Sequence, residues 1–344
     1  MEKKFESFDE RSMHAIIGDG VKYIRSNVQS EQYTHVISLI NQLTNFDSVV
    51  IDEFEEGRYH NIEEVFTHPK LKNKKIFFTN CGYENKKLRD NQWLLSWPLF
   101  YPTRKISPKT IKDSNTEYGF SCLNNAARFH RLVLGYSLYK QDLLKDMIFT
   151  QNTFDGYWTW GPEYTPAVLQ LPDFQQFQQY IECLPIAWQG DIDTTGRKFI
   201  FDHSVSHDAY QNAYCNIVTE SRVGGNIYKN PNYKDNGLQD SSEKSYKPFI
   251  SCQIPLMFAC NGHINYLKNL GFEMMEDLYP TNYDYMDVYD KISAIVDIVA
   301  KGKEFIKDFY FTHQREIVYN YKLISSDKVD KLIIQNIKNL IDAG

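Results

Sequence analysis

Short apolar runs alternate with amphipathic ones over the first hundred residues. The segment THVISLINQL (34–43) has apolar positions at helical spacing, whereas FDSVVIDEF (46–54) and KKIFFTNCG (74–82) are compact apolar runs typical of buried strands. The first of these strands ends in carboxylates. Alternation of this kind predicts a mostly parallel sheet covered by helices.

A second α/β pattern begins at residue 118. Strands are predicted at YGFSCL, AYCNIVTE and QIPLMFA, a strand or extended segment at FEMMED, and helices at AARFHRLVLGYSLYKQDLLKDM (126–147), EKSYKPFIS and GHINYLKNLG. The last third is helical, over 285–302, about 306–322, and a final helix from 325 with a serine cap. This pattern predicts a second doubly wound domain.

The prolines between the two patterns mark a link between domains. We therefore predict an α/β fold with two Rossmann-like doubly wound domains facing a cleft, followed by C-terminal helices. The predicted segments are an N-terminal acceptor-side domain (1–100), a linker (101–117), a donor-binding domain (118–302) and C-terminal helices (303–344).

Composition places the 344-residue chain among globular proteins, with 42% hydrophobic and 24% charged residues. No run approaches the roughly 20 apolar residues of a membrane span, so no membrane span is expected. The start of the chain has no apolar signal-peptide core. Six cysteines without CxxC spacing suggest neither a zinc site nor a disulfide framework. The expected location is a reducing cytoplasm.

Charge is unevenly distributed, although the net charge is −6. Segment 69–112 is rich in Lys and Arg, with only Glu84 and Asp90 as acids. Such a segment can steer an anionic partner, and a solvated lysine-rich surface is the alternative.

Polar side chains follow the predicted strands of the second domain. One group surrounds the start of the helix after YGFSCL: Asn124, Arg128 and Arg131. Another opens a short helix: Ser242, Glu243, Lys244 and Lys247. Cations in the first turn of a helix oppose its dipole, so both groups suggest a bound anion. The alternative for the arginines is pairing with surface acids.

Thr219 and Glu220 end the strand AYCNIVTE. A carboxylate in that place can accept hydrogen bonds from ribose or sugar hydroxyls, or it can cap the next helix. Asp191 and Asp193 would suit a metal-dependent transferase, but acidic triplets arise freely in acidic chains. His203 and His207 have no apparent third ligand. We therefore expect no metal. Motifs of the P-loop, Rossmann dehydrogenase and nucleophile-elbow types are absent from the sequence.

The segments YGFSCLNNAARFHRLVLGYSL, NIVTES, SSEKSYKPFISCQIPLMF, LKNLGF and YDYMDVYDKI together resemble a group of glycosyltransferases. These are common in tailed phages and large viruses and distantly similar to the nucleotide-sugar domain of fucosyltransferases. The resemblance covers about 118–300. It implies the GT-B architecture, a nucleotide-sugar donor bound by the C-terminal domain as co-substrate, and no obligatory metal or other cofactor.

By this resemblance Arg128 and Lys244 contact the donor diphosphate, and Glu220 or Glu243 contacts the ribose or the sugar. The sequence departs from the family pattern in a long polar insertion between Glu220 and Ser242, which leaves the relative placement of Glu220 and Glu243 open. Independently of the resemblance, a metal-free site must neutralise the diphosphate leaving group with Arg, Lys and helix amides.

The acceptor side is less defined. An inverting enzyme needs a base for the acceptor hydroxyl, and the candidates in the first domain are Asp19, Asp52 and Glu53, with Glu55 beside them. The expected function is transfer of a sugar to a hydroxyl acceptor. Segment 69–112 favours a hydroxylated base in phage DNA, in the cytoplasm of a host cell. A surface glycan or lipopolysaccharide is the rival acceptor, and a non-catalytic nucleotide-sugar or glycan binding module is the rival function.

Overall fold

The computed structural model describes residues 21–26, 33–53, 65, 67–80, 86–96, 111–124, 127–152, 173–186, 208–220, 223 and 241–343. The chain divides into two compact units. The first contains Met1–Tyr101, Asp240–Glu243 and Asp327–Gly344, and the second contains Pro102–Gln239 and Lys244–Ser326. The segment predicted as separate C-terminal helices is thus shared between the units, with 303–326 in the second and 327–344 in the first.

The first unit contains a five-stranded sheet in the order β1-β2-β3-β5-β4. Its strands are β1 (Val21–Ser26), β2 (Ser48–Glu53), β3 (Lys75–Asn80), β4 (Lys86–Arg89) and β5 (Gln92–Ser96). All pairings are parallel except that between β4 and β5. Helix α1 (Tyr33–Gln42) follows β1 along the chain.

One face of this sheet packs on α1 and forms a core. Side chains alternate across a strand, so Val49 and Ile51 of β2 point to the same face, where Val36 and Ile40 of α1 join them. The Lys70 ammonium donates to the carbonyls of Asn41 and Leu43, so it satisfies acceptors left open where α1 ends.

The second unit contains a four-stranded sheet in the order β7-β6-β8-β9, with every pairing parallel. Its strands are β6 (Tyr118–Asn124), β7 (Ile148–Gln151), β8 (Ala213–Thr219) and β9 (Ile254–Phe258). The helices that follow β6 and β7 are α2 (Phe129–Lys140) and α3 (Phe174–Glu182), and a short helix, α4 (Asp208–Gln211), precedes β8.

Helix α5 (Glu243–Ile250) connects β8 to β9, and α6 (His263–Asn269) follows β9. The chain continues through α7 (Val288–Ala300), α8 (Gly302–Thr312), α9 (Gln314–Ile324) and α10 (Lys328–Asp342), of which α10 belongs to the first unit.

Helices cover both faces of the second sheet. Gly119 of β6 faces α8, because a Cβ there would lie 3.0 Å from the Lys303 backbone. On the opposite face, a Cβ on Gly135 of α2 would overlap the Tyr180 hydroxyl of α3 and lie 3.0 Å from the Phe149 ring of β7. Both glycines therefore permit a close approach that any side chain would block.

These elements confirm the mixed α/β class with parallel sheets, and they confirm the helix predicted at 34–43 and the strands predicted around 46–54, 74–82, 118–123, 213–220 and 253–259. Several details of the prediction are wrong. The helix predicted over 126–147 ends at Lys140, and Asp142 then adopts a positive φ of 58°. The helix predicted at 306–322 is two helices separated at His313.

The serine cap predicted for the last helix is also wrong, because the N-cap residue is Asp327. The segment FEMMED forms no strand and contains a 3-10 turn at Glu276–Leu278. The strands β1, β4, β5 and β7 were not predicted. Within the described residues, no helix has the length and apolar character needed to cross a membrane.

Candidate functional site

The strand order of the second sheet defines where a ligand is expected. In the sheet, β7 lies on one side of β6. The next strand along the chain, β8, lies on the other side of β6. The direction of winding therefore reverses between β6 and β8. In open α/β sheets, ligands bind beyond the carboxyl ends of the strands at such a switch point. Asn124 is the last residue of β6 and Thr219 the last of β8.

The two strand ends are joined by their side chains. The Thr219 hydroxyl donates to Asn124 Oδ1, and the Asn124 amide donates to Cys122 Sγ at 3.3 Å. Both residues are buried. The predicted site residues Asn124 and Thr219 are thus brought together, and they form a fixed polar floor at the switch point.

Arg131 belongs to the same floor. Its Nη2 donates to the carbonyls of Thr219 at 2.9 Å and Glu220 at 3.3 Å, and its side chain is buried. The guanidinium therefore ties the first turn of α2 to the end of β8. Hydrogen bonds from a charged donor are stronger than those between neutral groups.

His130 lies between Arg128 and Arg131 in the sequence and was not predicted as a site residue. Its Nε2 lies 2.9 Å from the Glu220 carbonyl oxygen. Because a carbonyl only accepts, Nε2 carries the proton. Nδ1 is buried without a hydrogen-bond partner in the described structure. Burial first, and then the charges of Arg131, Arg128 and Lys244, hold the pKa of His130 well below its usual value. The ring is therefore neutral at physiological pH.

Two of the predicted cations, Arg128 and Lys244, act on this ring and have part of their side chains exposed. Arg128 is the N-cap residue of α2, and Lys244 is in the first turn of α5. Both are half-buried. The charge of each lowers the pKa of His130, whose Nε2 contacts the Glu220 carbonyl oxygen just after β8. An anion there would find two cations and the positive end of the α2 dipole.

Glu220 follows β8 and is buried. Its Oε1 accepts from the Ser245 hydroxyl, whose oxygen lies 2.7 Å from Nε2 of His263. Burial lowers the pKa of His263 to about 4, against the smaller raising influence of Glu220 and Asp284. Neither Ser245 nor His263 was predicted. No sequence motif marks either residue, because the contact between them depends on the spatial packing of α5 against α6.

Another predicted donor residue, Lys247, contacts an aromatic ring. The Lys247 ammonium is 5.8 Å from the centre of the Tyr210 ring, a cation–π distance. Ser242 is buried, and both Ser242 and Glu243 are assigned to the first unit. Asp284 accepts from the backbone amides of Ile264 and Asn265, so it caps α6.

Two of the predicted catalytic bases lie at the end of a strand of the first unit. Asp52 and Glu53 are the last two residues of β2. Asp19 and Glu55 lie outside the described residues, as do Asp191, Asp193, His203 and His207. Within the described ranges no cluster of His, Cys, Asp and Glu could hold a metal ion. Burial raises the pKa of the Cys122 thiol to about 12, which makes it unreactive.

The basic segment is divided in the structure. Lys70 binds carbonyls at the end of α1, and Lys74 pairs with Asp47 at 3.7 Å. Lys112 is buried in the second unit, where its ammonium donates to the carbonyls of Tyr210 at 2.7 Å and Ser251 at 2.9 Å. Lys72, Lys75, Lys87 and Arg89 are exposed in the first unit. Among the described residues of the segment, Lys112 is therefore buried, while the exposed basic side chains belong to the first unit.

Comparison with models of known protein families and with curated proteins finds no match to this chain.

Proposed function

We propose that the second unit binds the diphosphate of a nucleotide-sugar and that the protein is a metal-independent glycosyltransferase of the GT-B class. The observation that carries the proposal is that Arg128 begins α2 after β6, and that Lys244 lies beside Ser245, whose hydroxyl binds Glu220 just after β8, so both cations belong to the switch point of the sheet. These two cations come from different helices that start at neighbouring strand ends. The resemblance of residues 118–300 to phage glycosyltransferases points to the same chemistry.

The proposed reaction uses this charge in a specific way. The acceptor oxygen bonds to the anomeric carbon while the bond from that carbon to the diphosphate oxygen breaks. The hydroxyl proton goes to a base, for which Asp19, Asp52 and Glu53 stay the candidates. The departing nucleoside diphosphate gains negative charge, which Arg128, Lys244 and the α2 amides stabilise.

The acceptor is proposed to be a hydroxyl group, and a hydroxylated base in DNA is the first one to test. The exposed lysines and arginine of the first unit support that choice. A surface glycan is the alternative outcome. The reducing cytoplasm is the proposed location because the six cysteines show no paired spacing.

The test is thermal stabilisation of the full chain by nucleoside diphosphates and nucleotide-sugars, with and without EDTA. A nucleotide at about 100 times its dissociation constant adds about 2.7 kcal/mol to the free energy of unfolding. We expect one nucleotide to stabilise the protein regardless of EDTA and Lys244→Ala to remove that stabilisation. Turnover of the same nucleotide-sugar would separate an enzyme from a binding module.

Lys145→Ala is the matched control, because Lys145 pairs with Asp142 on the surface near the amino end of β7. It should leave the nucleotide effect unchanged. If no nucleotide stabilises the wild-type protein, the proposed function is wrong. If EDTA removes the effect, metal-free binding is wrong.

A further inference from the structure

A groove of about 420 Å³ lies along one face of α9 in the second unit. The described residues that line it are Ile111, Gln314, Arg315, Val318, Tyr319 and Lys322. Ile111 is 41% exposed and Tyr319 is 45% exposed, so large apolar side chains of this groove are open to solvent. An exposed apolar patch that is bordered by polar side chains is typical of a binding surface.

The lining residues of α9 share the side of the helix that faces away from its core. Successive residues of an α-helix are about 100° apart, so positions 314, 315, 318, 319 and 322 lie on one face. The buried residues of α9 lie on the opposite face: Ile317, Asn320, Leu323 and Ile324. A surface helix normally presents polar side chains away from its core. The Tyr319 ring departs from that pattern, and packing within the unit does not account for it.

The groove lies at the amino edge of the second sheet. Ile111 directly precedes Lys112, whose ammonium donates to the carbonyls of Tyr210 and Ser251. Tyr210 precedes β8 and Ser251 precedes β9. The anion site proposed above is at the carboxyl edge of the same sheet. The groove is therefore a second surface, and its ligand does not depend on the proposed function.

Positive charge lies on both sides of the exposed ring. Arg315 is about one turn before Tyr319 and Lys322 is about one turn after it, and both side chains are exposed. Neither cation forms an ion pair within the described part of the chain. The acid of this helix, Glu316, instead lies 3.9 Å from Nδ1 of His313. The described lining residues thus include two cations and no acid, which favours an anionic ligand.

We propose that this face of α9 binds single-stranded nucleic acid, with a base stacked on Tyr319 and phosphates on Arg315 and Lys322. Surfaces that bind single strands combine aromatic side chains, on which bases stack, with cations that follow the backbone. A duplex keeps its bases stacked on one another and would leave the ring unused. An anionic membrane calls for a cluster of about four to eight basic residues. An acidic peptide would use the two cations without needing the ring.

The experiment measures binding of the full chain to two fluorescein-labelled strands by fluorescence anisotropy. One is an oligothymidylate of about 12 nucleotides, within the usual site sizes, and the other is an abasic strand with the same number of phosphates. The wild type should bind the oligothymidylate at least about fivefold more tightly than the abasic strand, because only the first has bases to stack. Tyr319→Ala should bind the two strands equally, whereas Tyr319→Phe should keep the preference.

The cations are tested by the salt dependence of the same binding. For single strands the logarithm of the affinity changes with the logarithm of the salt concentration by about 0.7 for each phosphate contact. Arg315→Ala and Lys322→Ala should each reduce the slope by about that amount. Tyr139→Ala removes another exposed tyrosine of the second unit, and Lys145→Ala removes a lysine that pairs with Asp142. Both controls should bind as the wild type does.

Several outcomes would overturn the proposal. A wild type that binds no strand at low salt does so, as does one that binds the abasic strand equally well. A base preference that survives in Tyr319→Ala would place the stacking elsewhere. Tighter binding of duplex DNA, or equal displacement of the strand by polyglutamate at the same charge concentration, would identify a duplex or an acidic peptide as the partner. None of these measurements involves the nucleotide-sugar, so either proposal can fail without the other.

Discussion

Both units carry a sheet of mainly parallel strands, yet the strand ends that look alike in sequence have different surroundings. β2 ends in Asp52-Glu53, and β8 ends in Thr219 followed by Glu220. In the first sheet the strands β1, β2 and β3 lie in the order in which they occur along the chain, so their winding does not reverse. In the second sheet it reverses between β6 and β8.

This difference decides where polar side chains become organised. At the switch point Asn124, Thr219, Arg131 and His130 are tied to one another and to the end of β8. A carboxylate after a buried strand is therefore not a site by itself. The reversal opens a place between two strand ends, and buried polar side chains are hydrogen-bonded there.

The largest expected effect comes from removing the guanidinium that holds this floor. Arg131→Met keeps the length of the side chain but loses two charged hydrogen bonds to the carbonyls of Thr219 and Glu220. At about 2 kcal/mol for each bond, the free energy of unfolding should fall by about 4 kcal/mol. Denaturant unfolding measures this, and nucleotide stabilisation should disappear with it.

The matched change in the first unit is Arg89→Met. Arg89 is exposed on the edge strand β4, where a surface substitution changes stability by only about 0.5 kcal/mol. If Arg131→Met lowers the free energy of unfolding as little as Arg89→Met does, the polar floor does not stabilise the switch point. The two sheets would then not differ in the stability that their strand ends contribute.

Acid should weaken the second unit through its buried histidines. Burial lowers the pKa of His263 to about 4, from an ordinary value near 6.5. Between these values the unfolded chain binds a proton that the folded chain does not, so stability is complete above about pH 6.5 and falls as the pH drops toward 4. The loss from this group is about 3 kcal/mol when complete. The charges of Glu220 and Asp284 raise the pKa of His263, whereas the charge of Lys291 lowers it further.

Denaturant unfolding at several pH values between 7 and 4 tests this expectation. His263→Gln should flatten the pH dependence, although it lowers stability at neutral pH. His313→Gln removes a histidine from the same unit that pairs with Asp277, and it should leave the acid slope in place. An unchanged slope in His263→Gln would mean that other groups cause the acid sensitivity.

Much of the second sheet could be predicted because its strands are buried on both faces. Near-continuous apolar runs such as those of β8 and β9 are visible without any knowledge of the partners. The strand β4 was missed for the opposite reason. β4 is a lysine-rich edge strand, and edge strands carry charge because they face solvent.

The candidate site could be predicted only in part. Misplaced cations at helix starts identified Arg128 and Lys244 in the sequence, since the helix dipole makes such positions unfavourable without an anion. The same reasoning did not distinguish Arg131, whose guanidinium is bound to carbonyls at the end of β8. His130, Ser245 and His263 could not be found this way, because their importance depends on which strand ends are neighbours in space.

The smallest expected effect concerns the first unit and its proposed contact with DNA. If exposed basic residues there bind phosphates, the affinity for double-stranded DNA falls steeply with salt concentration. Lys72→Ala and Lys87→Ala should each weaken binding severalfold and reduce the salt slope by about one. Lys70→Ala should change the slope less, because its ammonium already binds carbonyls at the end of α1.

Lys145→Ala in the second unit is the control. Binding that is absent even at low salt would rule out DNA as the acceptor and leave a glycan as the group to test. The two sheets would then share their architecture while only the second carried recognisable ligand chemistry.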